Sequence, residues 1–288
     1  MKTTQNNSKQ LKTIFAALII LFAVSCKKND STESFTSGKP DKTKLSTLTT
    51  SSYQNPYEII GVMHNEAIAY IEDSLTAFYN GTSVNNAALR TLIANYYSNN
   101  AYKIDSASGV GYNSDFNYFD SSFALLNSIK SYEFGNITSI SLSDDAMQYV
   151  NTVMSLIEDH ESPSTLIPEI LELELTIDNL GIPENEKVIL YCASSVARHS
   201  SEYWYNHEPF GTTGNIDYAL WQEIVGADFT GALVGGARAA VAGISSGALV
   251  FGPGGVVLSA ASGAVVGGIW SSFGDFMLNA LVNWAFWT

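Results

Sequence analysis

Apolar residues recur at three- and four-residue steps through most of this chain, and the runs are bounded by helix caps, with no convincing strand pattern. Asn55-Pro56-Tyr57-Glu58 reads as an N-cap, a proline at the first helical position and a capping-box glutamate. Ile60, Met63, Ala67, Ile71, Leu75 and Phe78 follow on one face, and Gly81 closes the segment. Ser83 opens a second helix, Val84–Tyr97, and Asp115–Tyr132 carries a third stripe of Phe116, Phe119, Phe123, Leu126 and Ile129. Ser143 caps Asp144–His160, with acids in the first turn where the helix dipole favours them. A fifth helix is expected over Ser164–Leu180, stopped by Gly181 and Pro183, and a sixth over Glu184–Tyr205. Six helices joined by mostly short loops predict a helical bundle over residues 55–215.

The pattern then changes. Over residues 216–288 an amphipathic lead-in, Asn215–Val225, runs into small residues spaced four apart: Gly231, Gly235, Ala239, Gly243 and Gly247. After Gly252-Pro253-Gly254-Gly255 a second row follows, Gly255, Ser259, Gly263, Gly267 and Ser271. On a helix that spacing keeps small side chains near one face, where a second backbone can approach closely. The fold class expected is therefore all-α, a helical bundle with a C-terminal glycine-zipper helical hairpin. Phe229–Phe251 spans 23 residues, about 34 Å as a helix against a bilayer core of about 30 Å. Its one charge, Arg238, would cost about 2.5–3.5 kcal/mol near the centre of an inserted helix, and Val256–Phe273 has none. Length permits spanning, while the abundance of glycine also suits a buried core hairpin; both readings stand. The crowded aromatics after Asp275, Trp284 and Trp287 among them, resemble an interfacial belt.

The N-terminus reads as a targeting segment. Lys2, Lys9 and Lys12 precede an apolar run, Ile14–Val24, and then Ala23-Val24-Ser25-Cys26. Small residues at minus three and minus one before a cysteine resemble the lipobox of bacterial lipoproteins. That resemblance implies a signal peptide over 1–25, acylation of Cys26, and palmitate among its acyl chains. Several chains would make a stable anchor, and the polar stretch of residues 26–54 would serve as lipidated cysteine and tether. Cleavage removes three lysines and no acid, taking the formal charge from −14 to −17. Such a chain does not suit nucleic acid or attraction to anionic lipid. With Cys26 lipidated, Cys192 is left alone and no internal disulfide forms.

Candidate chemistry is thin. His199 and Glu202 are three apart on one helix face, and with His207 they are the nearest thing to a metal-ligand set. No HExxH or CxxC accompanies them. Ser194-Ser195 lies mid-helix without the glycines of a nucleophile elbow. Cys192 falls on an apolar stripe, and Glu169, Glu172 and Glu174 read as a solvated rim. The chain is expected not to be an enzyme and to need no cofactor.

The tract Gly231–Gly247 with its return Gly263–Gly268 resembles the glycine-zipper segments of class II bacteriocins and of glycine-zipper outer-membrane lipoproteins. The resemblance implies a lipid-anchored protein of the cell envelope, held at the outer membrane and facing periplasm or exterior. It would present the hairpin for membrane insertion or self-assembly, with an antibacterial role in the bacteriocin-like case. The alternative is a structural or partner-binding lipoprotein whose hairpin is buried core; a metal-dependent enzyme comes third. Membrane lipid is the partner expected, through the acyl anchor and in the first reading through the hairpin, together with self-association. The packing residues expected are Gly231, Gly235, Gly243, Gly247, Gly263 and Gly267.

Overall fold

The first helix shows how local sequence sets up the architecture. In the computed structural model, which describes residues 54–78, 86–100, 102–104, 137–207, 218–246 and 253–273, helix α1 runs Glu58–Phe78. Asn55 Oδ1 accepts the Tyr57 N–H at 2.7 Å, satisfying one of the orphan donors at the helix start. Asn55 Nδ2 donates to the Tyr191 carbonyl at 3.0 Å, so the cap also ties α1 to a helix far along the chain. Ile60, Met63, Ala67, Ile71 and Leu75 are all buried, as their spacing predicts. Glu58 does not close a capping box. Its carboxylate turns to Arg198 and His199.

Helix α2 is Asn86–Asn100. The helix expected over Asp115–Tyr132 lies outside the described residues. Helix α3, Asp144–Asp159, starts as its sequence predicts: Ser143 Oγ accepts from the Ala146 N–H at 3.4 Å. Ser143 also donates its hydroxyl to Glu186 at 2.5 Å, joining two helix starts. At the other end of α3, Gln222 Nε2 donates to the carbonyls of Glu158 and His160 at 2.8 Å each, supplying partners the last turn lacks.

Helix α4 is Pro163–Glu174, shorter than the expected Ser164–Leu180. The Thr176 hydroxyl and N–H both donate to the Leu173 carbonyl, at 2.7 and 3.0 Å, and the chain tightens into a 3-10 turn at Ile177–Asn179. Helix α5, Glu184–Asn206, follows.

Helix α5 organises the fold. Val188 to Arg198 are buried without interruption, and Ser200, Ser201 and Trp204 are buried as well. A half-exposed helix would bury a stripe; this one is enclosed because α1, α4 and the C-terminal hairpin all lie against it. The hairpin consists of α6, Tyr218–Ser246, and α7, Pro253–Ser271. The expected lead-in and first zipper helix are thus one continuous helix of 29 residues, and Pro253 opens the second. The described residues are all-α, a helical bundle completed by the glycine-zipper hairpin, and all fall in one compact unit spanning 49–288.

Helices α6 and α7 pack antiparallel through their small residues. A Cβ added at Gly235 would lie 2.9 Å from Gly267 Cα and would overlap the Gly263 carbonyl. One added at Gly263 would lie 2.8 Å from the Gly235 carbonyl carbon and would overlap the Ala239 methyl. Gly231 meets Gly267 and Ser271 in the same way. Real Cβ atoms do not approach this closely, so the contact exists only because the side chains are absent. Two further glycines outside the rows admit α1: Gly61 faces Ser195 and His199, and Gly268 faces His64, 2.9 Å from its Cδ2 to an added Cβ.

Candidate functional site

Four of the six expected zipper positions, Gly231, Gly235, Gly263 and Gly267, face one another across the hairpin. Gly243 belongs to α6, but its surroundings lie outside the described residues, as do Gly247, Cys26 and the aromatic tail. The faces of the hairpin turned away from the zipper are also occupied. Phe229, Leu233, Val234, Val265 and Ile269 are fully buried, with α5 and α1 packed on them. Arg238 is half-buried and donates to Ser139 Oγ at 2.8 Å. Among the described residues of the hairpin, Val241 and Tyr218 are exposed large apolar residues, at 65 % and 57 %.

The polar chemistry of the molecule is concentrated on α5, in three clusters that link distant helices. The first is built on Arg198. Its Nε donates to Glu174 Oε1 at 2.9 Å, its Nη1 to Glu58 Oε1 at 3.1 Å, and its Nη2 to Glu58 Oε2. His199 Nε2 lies 2.7 Å from Glu58 Oε1. Glu174, expected on a solvated rim with Glu169 and Glu172, is instead completely buried; the other two are exposed. Its position follows from Leu166, Ile170 and Ile177 forming the buried face of this segment, which Glu174 shares.

The two carboxylates of this cluster are pushed apart. Burial by itself would raise Glu58, but hydrogen bonds from His199 and Arg198 outweigh it and hold the group down at about 2. Burial dominates at Glu174, and Arg198 offsets it only in part, leaving the group at about 7. A carboxyl poised near neutrality is a feature of acid–base catalysts. Here both Glu174 oxygens face the Arg198 guanidinium in a fully buried position, so Glu174 fastens α4 to α5 and is itself closed to a substrate.

In the second cluster Glu72, buried on α1, accepts from Tyr203 at 2.9 Å and pairs with His207 at 2.7 Å. The His207 ring stacks on Tyr203 with centroids 4.6 Å apart. The candidate metal ligands therefore do not converge: His199 turns to Glu58, His207 to Glu72, and Glu202 is exposed. Among the described residues no group of three or more His, Cys, Asp and Glu side chains could hold a metal ion. Cys192 is fully buried, and burial pushes its thiol far up, so it packs and does not react.

The third cluster joins the hairpin to the bundle. Asp228 of α6 is fully buried and accepts from Ser200 Oγ at 2.5 Å, Trp204 Nε1 at 3.0 Å and Ser272 Oγ. His64 of α1, also fully buried, places Nε2 3.6 Å from Asp228 Oδ2. Serine, histidine and aspartate together suggest a hydrolytic triad, but the order is wrong. The base must stand between nucleophile and carboxylate; here the carboxylate stands in the middle, and no solvent reaches it. Sequence reading passed over this cluster. Its visible signals are an acid at the border of an apolar tract and a histidine sharing the face of Ile60, Ala67 and Ile71.

No protein-family model matches the chain, and comparison with the curated proteins and with the solved structures gives no match.

Proposed function

We propose that this is a lipid-anchored envelope protein that acts as a structural or partner-binding module, with the glycine-zipper hairpin serving as its core. The observation that carries this reading is the buried Asp228, whose carboxylate takes its donors from α5 and α7. In a bilayer that carboxylate would lose Ser200 and Trp204, and an acid at the centre of an inserted helix costs about 2.5–3.5 kcal/mol. The zipper glycines are engaged with each other, which leaves the small face of the hairpin unavailable to a second copy. What the bundle offers outward is acidic: Asp144, Asp145, Glu158 and Asp159 of α3 and Glu169 and Glu172 of α4 are exposed.

Membrane insertion of the hairpin is the second reading, favoured by the length and composition of one helix. Tyr218–Val241 has the length and mean hydropathy, 1.2 over its most apolar window, of a spanning helix, with 72 % of that window buried within the protein. Vesicles separate the two. The processed protein should bind them through Cys26, without releasing entrapped dye and without protease protection of residues 218–273. Cys26→Ser should abolish binding. A Cys26→Ser protein that still inserts, releases dye or shields the hairpin from protease would overturn the core reading in favour of membrane insertion.

A further inference from the structure

The third cluster contains a proton that the hydrogen-bond pattern can count. Asn65 Nδ2 donates to the His199 carbonyl at 2.8 Å, which fixes the amide so that Asn65 Oδ1 faces His64 Nδ1 at 3.1 Å. An amide oxygen only accepts, so Nδ1 carries a hydrogen. The other ring nitrogen, Nε2, has no hydrogen-bond partner and points toward Asp228 Oδ2 from 3.6 Å.

Three protonation states are available to the pair. With no further proton, an imidazole lone pair confronts a carboxylate anion at a site closed to water, and a buried charge stands without a counter-charge. With two, a buried imidazolium faces a neutral acid and is equally uncompensated. With one, the pair is either imidazolium and carboxylate or neutral imidazole accepting from a neutral acid. The ion pair fits the 3.6 Å separation as it stands, and the neutral form would close its hydrogen bond by drawing the two groups a few tenths of an ångström together. Burial raises Asp228, with the charge of His64 and the bonds from Ser200, Ser272 and Trp204 opposing the rise, as expected of a site that resists being left as a lone anion. We propose that His64 and Asp228 share a single buried proton, and that the pair acts as a pH-dependent latch between the C-terminal hairpin and the bundle.

Among the described residues, the side chains bonded to Asp228 are hydroxyls and an indole, and the Trp204 ring lies 6.2 Å from that of His207, which pairs with Glu72. Helix α5 presents Ser200 and Trp204 to Asp228, and α7 presents Ser272. Gly268 of α7 and Val196 of α5 pack near His64. His199 and Arg198, on the same stretch of α5, are turned to Glu58 and Glu174.

The sign follows from the proton count. An unfolded aspartate and histidine titrate near 3.9 and 6.5 (roughly). Between about pH 4 and 6.5 both folded and unfolded chains hold one proton on the pair, and the latch is at its strongest. Above about 6.5 the unfolded chain gives that proton up while the folded chain keeps it, so stability falls as pH rises. Below about 3.9 the unfolded chain takes a second proton that the folded site refuses, and stability falls again. The latch is therefore tight in mild acid and loosens with alkali.

The full-length processed chain tests this by denaturation from pH 5 to 9. Relative to Asp228→Asn, which has no proton to hold, the wild-type folding constant should fall by about tenfold per pH unit above pH 7. Parallel pH profiles for the two proteins would overturn the proposal. Should Asp228→Asn fail to fold, the wild type alone decides, through ring 15N and carboxyl 13C spectra of His64 and Asp228 at pH 7.5. One proton on the pair beyond that on Nδ1 is expected. A neutral ring beside an ionised carboxylate, or an imidazolium beside a protonated acid, would sink it.

Discussion

Gly235→Ala should destabilise the folded protein, and Gly236→Ala should leave it nearly unchanged or slightly stabilised. The two glycines are adjacent in α6, and alanine improves helix propensity at either by about 1 kcal/mol. Their surroundings decide the difference. At Gly235 the added carbon meets backbone, 2.9 Å from Gly267 Cα and closer to the Gly263 carbonyl, and a backbone cannot swing aside as a side chain can. At Gly236 the nearest atom is the Ala260 carbonyl at 3.2 Å, followed by side-chain atoms of Ala264 and Ile189 at 3.6 and 3.7 Å, a gap that a shift of tenths of an ångström relieves. Overpacking in a tight core costs about 1–3 kcal/mol, and Gly235→Ile should exceed that range because α6 and α7 must part. Val241→Ile, at an exposed position, should change stability by less than about 0.5 kcal/mol. Denaturant unfolding of the four variants measures all of this. Equal behaviour of Gly235→Ala and Gly236→Ala would mean the hairpin does not have this register.

Arg198→Met should cost about 3–5 kcal/mol, because it strands a buried carboxylate without its cation. Glu174 is fully buried and Glu58 depends on the same guanidinium. The loss should vary with pH in a defined direction. Glu174 has its pKa raised from 4.5 to about 7, so its contribution is present below 4.5 and lost as pH rises through about 7. Glu58 is lowered from 4.5 to about 2, so its contribution is present above 4.5 and lost as pH falls through about 2. Removing the guanidinium should therefore hurt more at pH 8 than at pH 5, where Glu174 can take a proton. Adding Glu174→Gln to Arg198→Met should recover part of the loss at pH 8 and less at pH 5. A penalty independent of pH would mean the network acts by packing alone.

The elements legible in the sequence are those whose cause is local. Asn55 and Ser143 cap helices because their side chains reach the next few backbone N–H groups. The four-residue rows of small residues mark a close contact because only a helix brings them into line. What escaped is what depends on partners far away. Helix α5 reads in the sequence as one more helix of the bundle, and nothing local marks Ser194, Ser195, Ser200 and Ser201 as core residues. Each is buried and bonded, to Tyr149, to Gly61 and Glu58, to Asp228 and to the Arg198 carbonyl. Glu58 fits the pattern of a capping box, and no local rule foretells an arginine 140 residues away. Glu174 and Asp228 carry the same lesson: an acid is buried when the fold supplies its donors, and those donors are not its sequence neighbours.

The enclosure of α5 also dictates when the protein can fold. Helix α1 finds its partners across 134 to 141 residues of chain, at Ser195, Arg198 and His199, and completes its packing against α7. Few of its stabilising contacts are local, so loop-closure entropy is spent before they form, and such topologies fold slowly for helical proteins. A nascent chain lacking the hairpin leaves Ser200 and Trp204 of α5 without Asp228, and the Ser201 carbonyl without Trp221. The core closes only when α6 and α7 arrive.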